Sequence, residues 1–144
     1  MMYQATEKIK EAFDVDGRFT TFVEEHESYS MVRVIFPGGA TRLLHMDFVS
    51  TDNGNDVLVY IPGIITVEPE QLRIVLPLLN KFNSVFRPAR FYCDKDGDVN
   101  VQYDYLVKDE DPAATAVEQH LLLARAARKG AELLAKELKA GYWD

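Results

Sequence analysis

The chain has 144 residues, 47% hydrophobic and 27% charged, with a formal net charge of −7 and a pI near 5.0. That is the size of a single domain, spanning 1–144, with a real core. The acidic balance argues against nucleic acid as a partner, because phosphate-backbone binding needs a basic face. The lone cysteine, Cys93, cannot close an internal disulfide, and no stretch has the unbroken apolar length of a membrane span. The opening residues, MMYQATEKIKEAF, are mixed and charged, without the apolar core of a signal peptide. The expectation is a cytoplasmic protein with no membrane partner.

Met2, Ala5, Ile9 and Phe13 fall on one helical face, which predicts a short amphipathic helix from Tyr3 to Asp14, stopped by Asp16-Gly17. Phe19 to Glu25 reads as a first strand with edge character. Ser30 to Phe36 is a second, turned by Pro37-Gly38-Gly39. Leu43 to Thr51 is a third, with Leu44, Met46 and Phe48 on one face, and Asp52-Asn53-Gly54-Asn55 is a hairpin signal. Val57 to Ile65 is a fourth strand, and Pro62-Gly63 inside it predicts a bulge or an early end. Short turns between these strands imply an antiparallel meander.

A second helix starts at Glu68-Pro69-Glu70, with acid near its positive end. Leu72, Val75, Leu79, Phe82 and Phe86 form its apolar stripe, and Pro77, which should kink it, lies opposite that stripe. Arg87-Pro88 ends it. Arg90 to Cys93 begins a strand, and Asp96-Gly97 suits a two-residue turn with Gly97 left-handed. In the strand that follows, Val99, Val101, Tyr103 and Tyr105 alternate with Asn100, Gln102 and Asp104, so one side should be buried and the other wet.

Asp111 and Pro112 suit the cap and first position of a last helix running towards Ala140, with Gly141 as its stop. Its main stripe holds Ala113, Val117, His120, Ala124, Ala127, Ala131, Leu134 and Leu138. A thinner stripe, Leu122, Ala126, Leu133 and Ala140, is surplus to a helix with one buried face. A row of apolar residues on one helix suggests a protein partner, and two such helices could pack across a two-fold axis into a homodimer. Arg125, Lys129, Glu118 and Glu132 flank that row and could set register by cross-pairing. Trp143, near the terminus, could add an anchor. The fold class expected is α+β: an antiparallel sheet with helices at the N-terminus, middle and C-terminus.

The stretch from Asn80 to Leu106 resembles the YbjN family of bacterial proteins. The matching features are the paired asparagines in Leu79-Asn80-Lys81-Phe82-Asn83, the Phe91-Tyr92 pair, the Asp94-Lys95-Asp96-Gly97-Asp98 turn and the Val99–Leu106 strand. The resemblance implies a type III secretion chaperone-like fold and a sensory transduction regulator. It also implies dimers, and it brings no catalytic residues and no cofactor. The function expected is a non-enzymatic regulator or chaperone-like adaptor acting through protein–protein contacts. The alternative is a small-ligand sensor or small enzyme with a pocket between sheet and helices.

The remaining chemistry-bearing residues do not assemble into a recognisable site. Counting from Asp94, glycine is fourth and Tyr105 twelfth, which does not fit a calcium loop with glycine sixth and glutamate twelfth. His26, His45 and His120 lack metal-ligand spacing, and His120, on the apolar stripe, reads as a hydrogen-bonded core histidine. Asp94 should raise the pKa of Cys93, which reads as structural. No serine sits in a Gly-flanked elbow, and the glycine pairs are not phosphate loops. Asp94, Asp96, Asp98, Asp104, Asp109, Glu110 and Asp111 form an acidic rim, either solubilising or a recognition surface for a basic segment.

Overall fold

The structure, a computed structural model, describes residues 2–38, 43–51, 56–87, 89–106 and 112–143, with the side chains of 56, 105–106, 112–115 and 140–143 left out. Helix α1 spans Gln4–Asp16 and ends at Gly17, whose φ of 76° gives the left-handed cap that closes onto the Phe13 carbonyl. Four strands follow: β1 (Thr20–Glu25), β2 (Ser30–Pro37), β3 (Leu43–Ser50) and β4 (Asp56–Thr66). Next come α2 (Leu72–Val85), β5 (Arg90–Cys93), β6 (Asp98–Leu106) and α3 (Pro112–Trp143). The expected Asp52–Asn55 hairpin tip, Gly39, Pro88 and the acids Asp109, Glu110 and Asp111 lie outside the described residues.

The six strands form one antiparallel sheet in the order β1-β2-β3-β4-β6-β5. β1 is an edge, as its pattern suggested. The α+β expectation, with helices at the start, middle and end, is met. The register shifts in β4 between Ile61 and Ile65, where Gly63 takes φ 60°. This is the bulge that Pro62-Gly63 predicted.

All three helices cover the same face of the sheet. Phe13 of α1 meets Phe48 of β3 with ring centroids 5.5 Å apart, His120 of α3 meets Phe36 of β2 at 5.9 Å, and Phe82 of α2 meets Phe91 of β5 at 5.3 Å. Val32, Val34, Met46, Val59, Ile61 and Val101 fill the layer between. Each comes from the alternate set that a pleated strand turns one way. The start of α1 is tied to β2 by a buried hydroxyl pair, Thr6 Oγ1 to Ser30 Oγ at 2.7 Å, and Ser30 Oγ also accepts the Tyr3 N–H.

A 3-10 turn, Pro69–Gln71, enters α2 through a reciprocal cap between Glu68 and Gln71. Pro77 lies inside α2 and is exposed, on the side away from the buried Val75, Leu79 and Phe82. The hairpin between β5 and β6 corrects one expectation. Asp94 and Asp98 still pair, and the Gly97 N–H returns to the Asp94 carbonyl at 3.1 Å, so the loop has three residues, Lys95–Gly97, rather than two. Gly97 is left-handed, with φ 85°, as expected. A Cβ there would also stand 2.4 Å from the Val67 carbonyl oxygen, so space and conformation both demand glycine.

Asparagines complete the frame. Asn83 on α2 accepts the Phe91 N–H at 2.6 Å and donates to the Phe91 carbonyl at 3.2 Å, pairing with the edge strand as a neighbouring strand would. Asn100, expected on a wet face, is buried. Its Oδ1 accepts the Gly63 N–H and its Nδ2 donates to Asp94 Oδ2, which satisfies the bulge and the hairpin together.

Candidate functional site

Where α2 stops and α3 continues, the surface opens into a groove. Phe86 caps α2, its N–H bonding the Phe82 carbonyl, and the Ala89 N–H then returns to the Phe86 carbonyl at 2.9 Å. This turn points the Phe86 ring inward, 5.5 Å from Phe82 and 5.8 Å from Phe91. Val85, one residue off the buried stripe, is left 61% exposed. On the other wall α3 packs so closely that a Cβ on the buried Gly130 would lie 2.6 Å from the Phe91 ring. One turn earlier Ala126 is small enough to leave a hollow, and Leu122 rises half exposed beside it.

The groove has a volume of about 310 Å³ and an apolar floor, and it is open to solvent. Arg87, Arg125 and Lys129, all exposed, stand on its rim. Lys129 pairs along its own helix with Glu132 at 3.6 Å. Arg87 and Arg125 make no ion pair among the described residues.

The residues singled out on α3 do not form one free row. Leu122 is 50% exposed and lines the groove, whereas Ala126 is 7% exposed and belongs to its floor. Leu133 is partly buried against the core, and the side chains of Ala140 and Trp143 lie outside the described ones. The expected surplus stripe is therefore corrected. α3 packs against α1, α2 and the sheet, so its buried arc is wider than one stripe. Leu121, 51% exposed, is the second prominent leucine beside Leu122. Sequence reasoning missed Val85, Arg87 and Ala89. Their only signal was an off-stripe valine next to a helix-ending Arg-Pro.

The opposite face of the sheet carries a second polar group. Cross-strand register aligns Phe22, Arg33, Asp47, Tyr60, Gln102 and Arg90 in one row. Arg33 grips Asp47 with two bonds, Nε to Oδ1 at 2.9 Å and Nη2 to Oδ2 at 3.1 Å. Asp47 Oδ1 also meets His45 Nδ1 at 3.0 Å. The bond to Asp47 holds the Arg33 pKa above its ordinary value. Burial, then a hydrogen bond to Tyr92, pushes the Tyr60 hydroxyl to about 12. Asp47 thus receives Arg33 and His45 together, an arrangement that stiffens this face of the sheet.

The other candidates resolve structurally. Asp94 Oδ1 accepts the N–H groups of Asp96 and Asp98 while its Oδ2 accepts from Asn100; these bonds, led by Asn100, hold its carboxyl below the usual range. Both oxygens serve the turn. Burial first, then Asp94 and Asp98, pushes the Cys93 thiol up, which makes it a poorer nucleophile at neutral pH. His26 stacks on Tyr29 at 4.3 Å and bonds Glu24. His120 is 3% exposed, among the rings of Phe13, Phe19 and Phe36. It departs from the sequence reading in that its Nδ1 finds no hydrogen-bond partner among the described residues. Compared with models of protein families, with curated proteins and with solved structures, the chain matches none.

Proposed function

We propose that this protein is a non-enzymatic regulator or chaperone-like adaptor that works by binding another polypeptide. The observation that carries the reading is the groove between the end of α2 and α3: an open apolar hollow of about 310 Å³ with the exposed Val85 and the half-exposed Leu122 in its lining. Surface apolar groups that cluster in a concave site are the usual mark of a contact surface. The YbjN resemblance of Asn80–Leu106 supports the same role, and with it a type III secretion chaperone-like fold and a bacterial source, while the lone Cys93 supports a cytoplasmic location. No described helix is long and apolar enough to cross a membrane.

A photo-crosslinking residue at position 122 should trap one defined polypeptide in the native cell, and the same residue at Thr20, on the far edge strand, should not. Identical labelling from both positions overturns the reading. The small-ligand alternative has one observation in its favour, since the groove volume reaches the lower end of small-molecule sites. A low-mass compound retained in native mass spectrometry, with no polypeptide trapped, would establish it instead.

Self-association belongs to the same proposal. The resemblance implies a homodimer, and Leu121 and Leu122 are the exposed leucines that α3 offers for it. Light scattering of wild type beside Leu121→Glu/Leu122→Glu decides the point. A dimer that dissociates in the double variant places the interface on α3. A wild type that stays monomeric at high micromolar concentration refutes it.

A further inference from the structure

The charge around the groove runs against the charge of the molecule. The chain carries −7 overall, yet the charged side chains lining the groove are all basic: Arg87, Arg125 and Lys129. Glu132 answers Lys129 in part, at 3.6 Å, while Arg87 and Arg125 face solvent without an ion pair among the described residues. Between them lie Val85, 61% exposed, and Leu122, 50% exposed. An arginine fork beside an apolar hollow is suited to a carboxylate presented next to an apolar side chain.

We infer that the groove docks an acidic polypeptide segment through one large apolar anchor. The anchor seats between Val85, Ala89 and Leu122, over Ala126, and carboxylates on either side of it reach Arg87 and Arg125. The inference rests on the protein-binding reading and supplies the chemistry of its partner. The shape of the site selects a polypeptide over a free amphiphile. The groove is partly open to solvent rather than enclosed, so it can take one side chain while the ligand's backbone stays outside, and an acyl chain would remain partly in water. A short helix with apolar residues at i and i+4 and acids between them presents that pattern. A basic segment would meet three like charges, which disfavours it.

The test is fluorescence anisotropy with two short fluorescein-labelled peptides. One carries phenylalanine and leucine at i, i+4 among glutamates, and the other has lysine in place of every glutamate. Wild type should bind the glutamate peptide saturably and the lysine peptide at least roughly tenfold more weakly. Arg87→Glu/Arg125→Glu, both changes being at exposed positions, should keep the wild-type melting temperature and reverse that preference. Leu122→Ser should weaken both peptides. Equal binding of the two peptides, or an unchanged preference in the double variant, overturns the inference. So does a saturable rise in melting temperature with decanoate when the glutamate peptide fails to bind, which would make the occupant a small amphiphile. A wild-type dimer that the rim variant dissociates would make the occupant a second copy and overturn the inference equally. If the crosslink from position 122 persists in the rim variant, only the acidic-partner assignment fails. If that crosslink is absent from wild type as well, the protein-binding reading falls with it.

Discussion

The two faces of the sheet use the same strands and the same alternation, and they solve different problems. On the inner face Val34, Met46, Val59 and Val101 meet three helices and are almost wholly buried. On the outer face, where none of the described helices packs, Phe22 stays exposed but Asp47 is only 5% exposed. Its cover comes from its own neighbours, Arg33 and His45. Burial on the inner face is therefore apolar and tertiary, whereas on the outer face a carboxylate is covered by polar neighbours in the sheet, with Met31 the buried apolar side chain beside them. The first kind should carry most of the stability, because hydrophobic transfer scales with area while partly exposed ion pairs add little.

The largest expected effect comes from emptying the inner face. Phe48→Ala should lower stability by about 3–5 kcal/mol, read from urea unfolding, because the ring fills the space under Phe13. A loss under about 1 kcal/mol would mean that the helices do not press on this face as described.

Next is His120, the inner face's one buried imidazole. Burial, then Arg128 and Arg18, lowers its pKa to about 4 from the ordinary 6.5, with Asp16 opposing. The folded state therefore holds a neutral ring where the unfolded chain would already bind a proton. Its contribution is full above pH 6.5 and is lost as the pH falls from 6.5 towards 4, with no further loss below that. The span corresponds to about 3 kcal/mol. Stability measured from pH 7.5 to 4 should fall less steeply in His120→Leu than in wild type; parallel curves would assign the acid sensitivity to carboxylates alone.

On the outer face, Asp47→Ala should cost about 1–2 kcal/mol, since it strips Arg33 of its bidentate partner and leaves His45 unpaired. Replacing the pair together, as Arg33→Met/Asp47→Leu, should recover most of that loss. If the double change costs as much as the single one, the ion pair contributes by more than filling space. The smallest effect is Phe22→Ser. At 55% exposure on an edge strand, it should change stability by less than about 0.5 kcal/mol. A larger loss would reveal a cover on the outer face.

Much of this arrangement was legible along the chain because it depends on short-range physics. The 3.6-residue spacing of Ala5, Ile9 and Phe13, the alternation of Leu44, Met46 and Phe48, and glycine at positions 17, 63 and 97 each act within a few residues. The element order and the buried inner faces followed from them. The tertiary structure alone decided what depends on residues far apart. It set β6 between β4 and β5, so that Asn100 could satisfy Gly63 37 residues away and turn a wet-looking position into a buried one. It gave α3 a neighbour on each side, which drew Ala126 and Leu133 inward and left Leu121 and Leu122 outside. It also brought Arg87 opposite Arg125 across the end of α2. Periodicity can say that a helix has an apolar face, but not how many partners will press on it, because that number is a property of the packed layers.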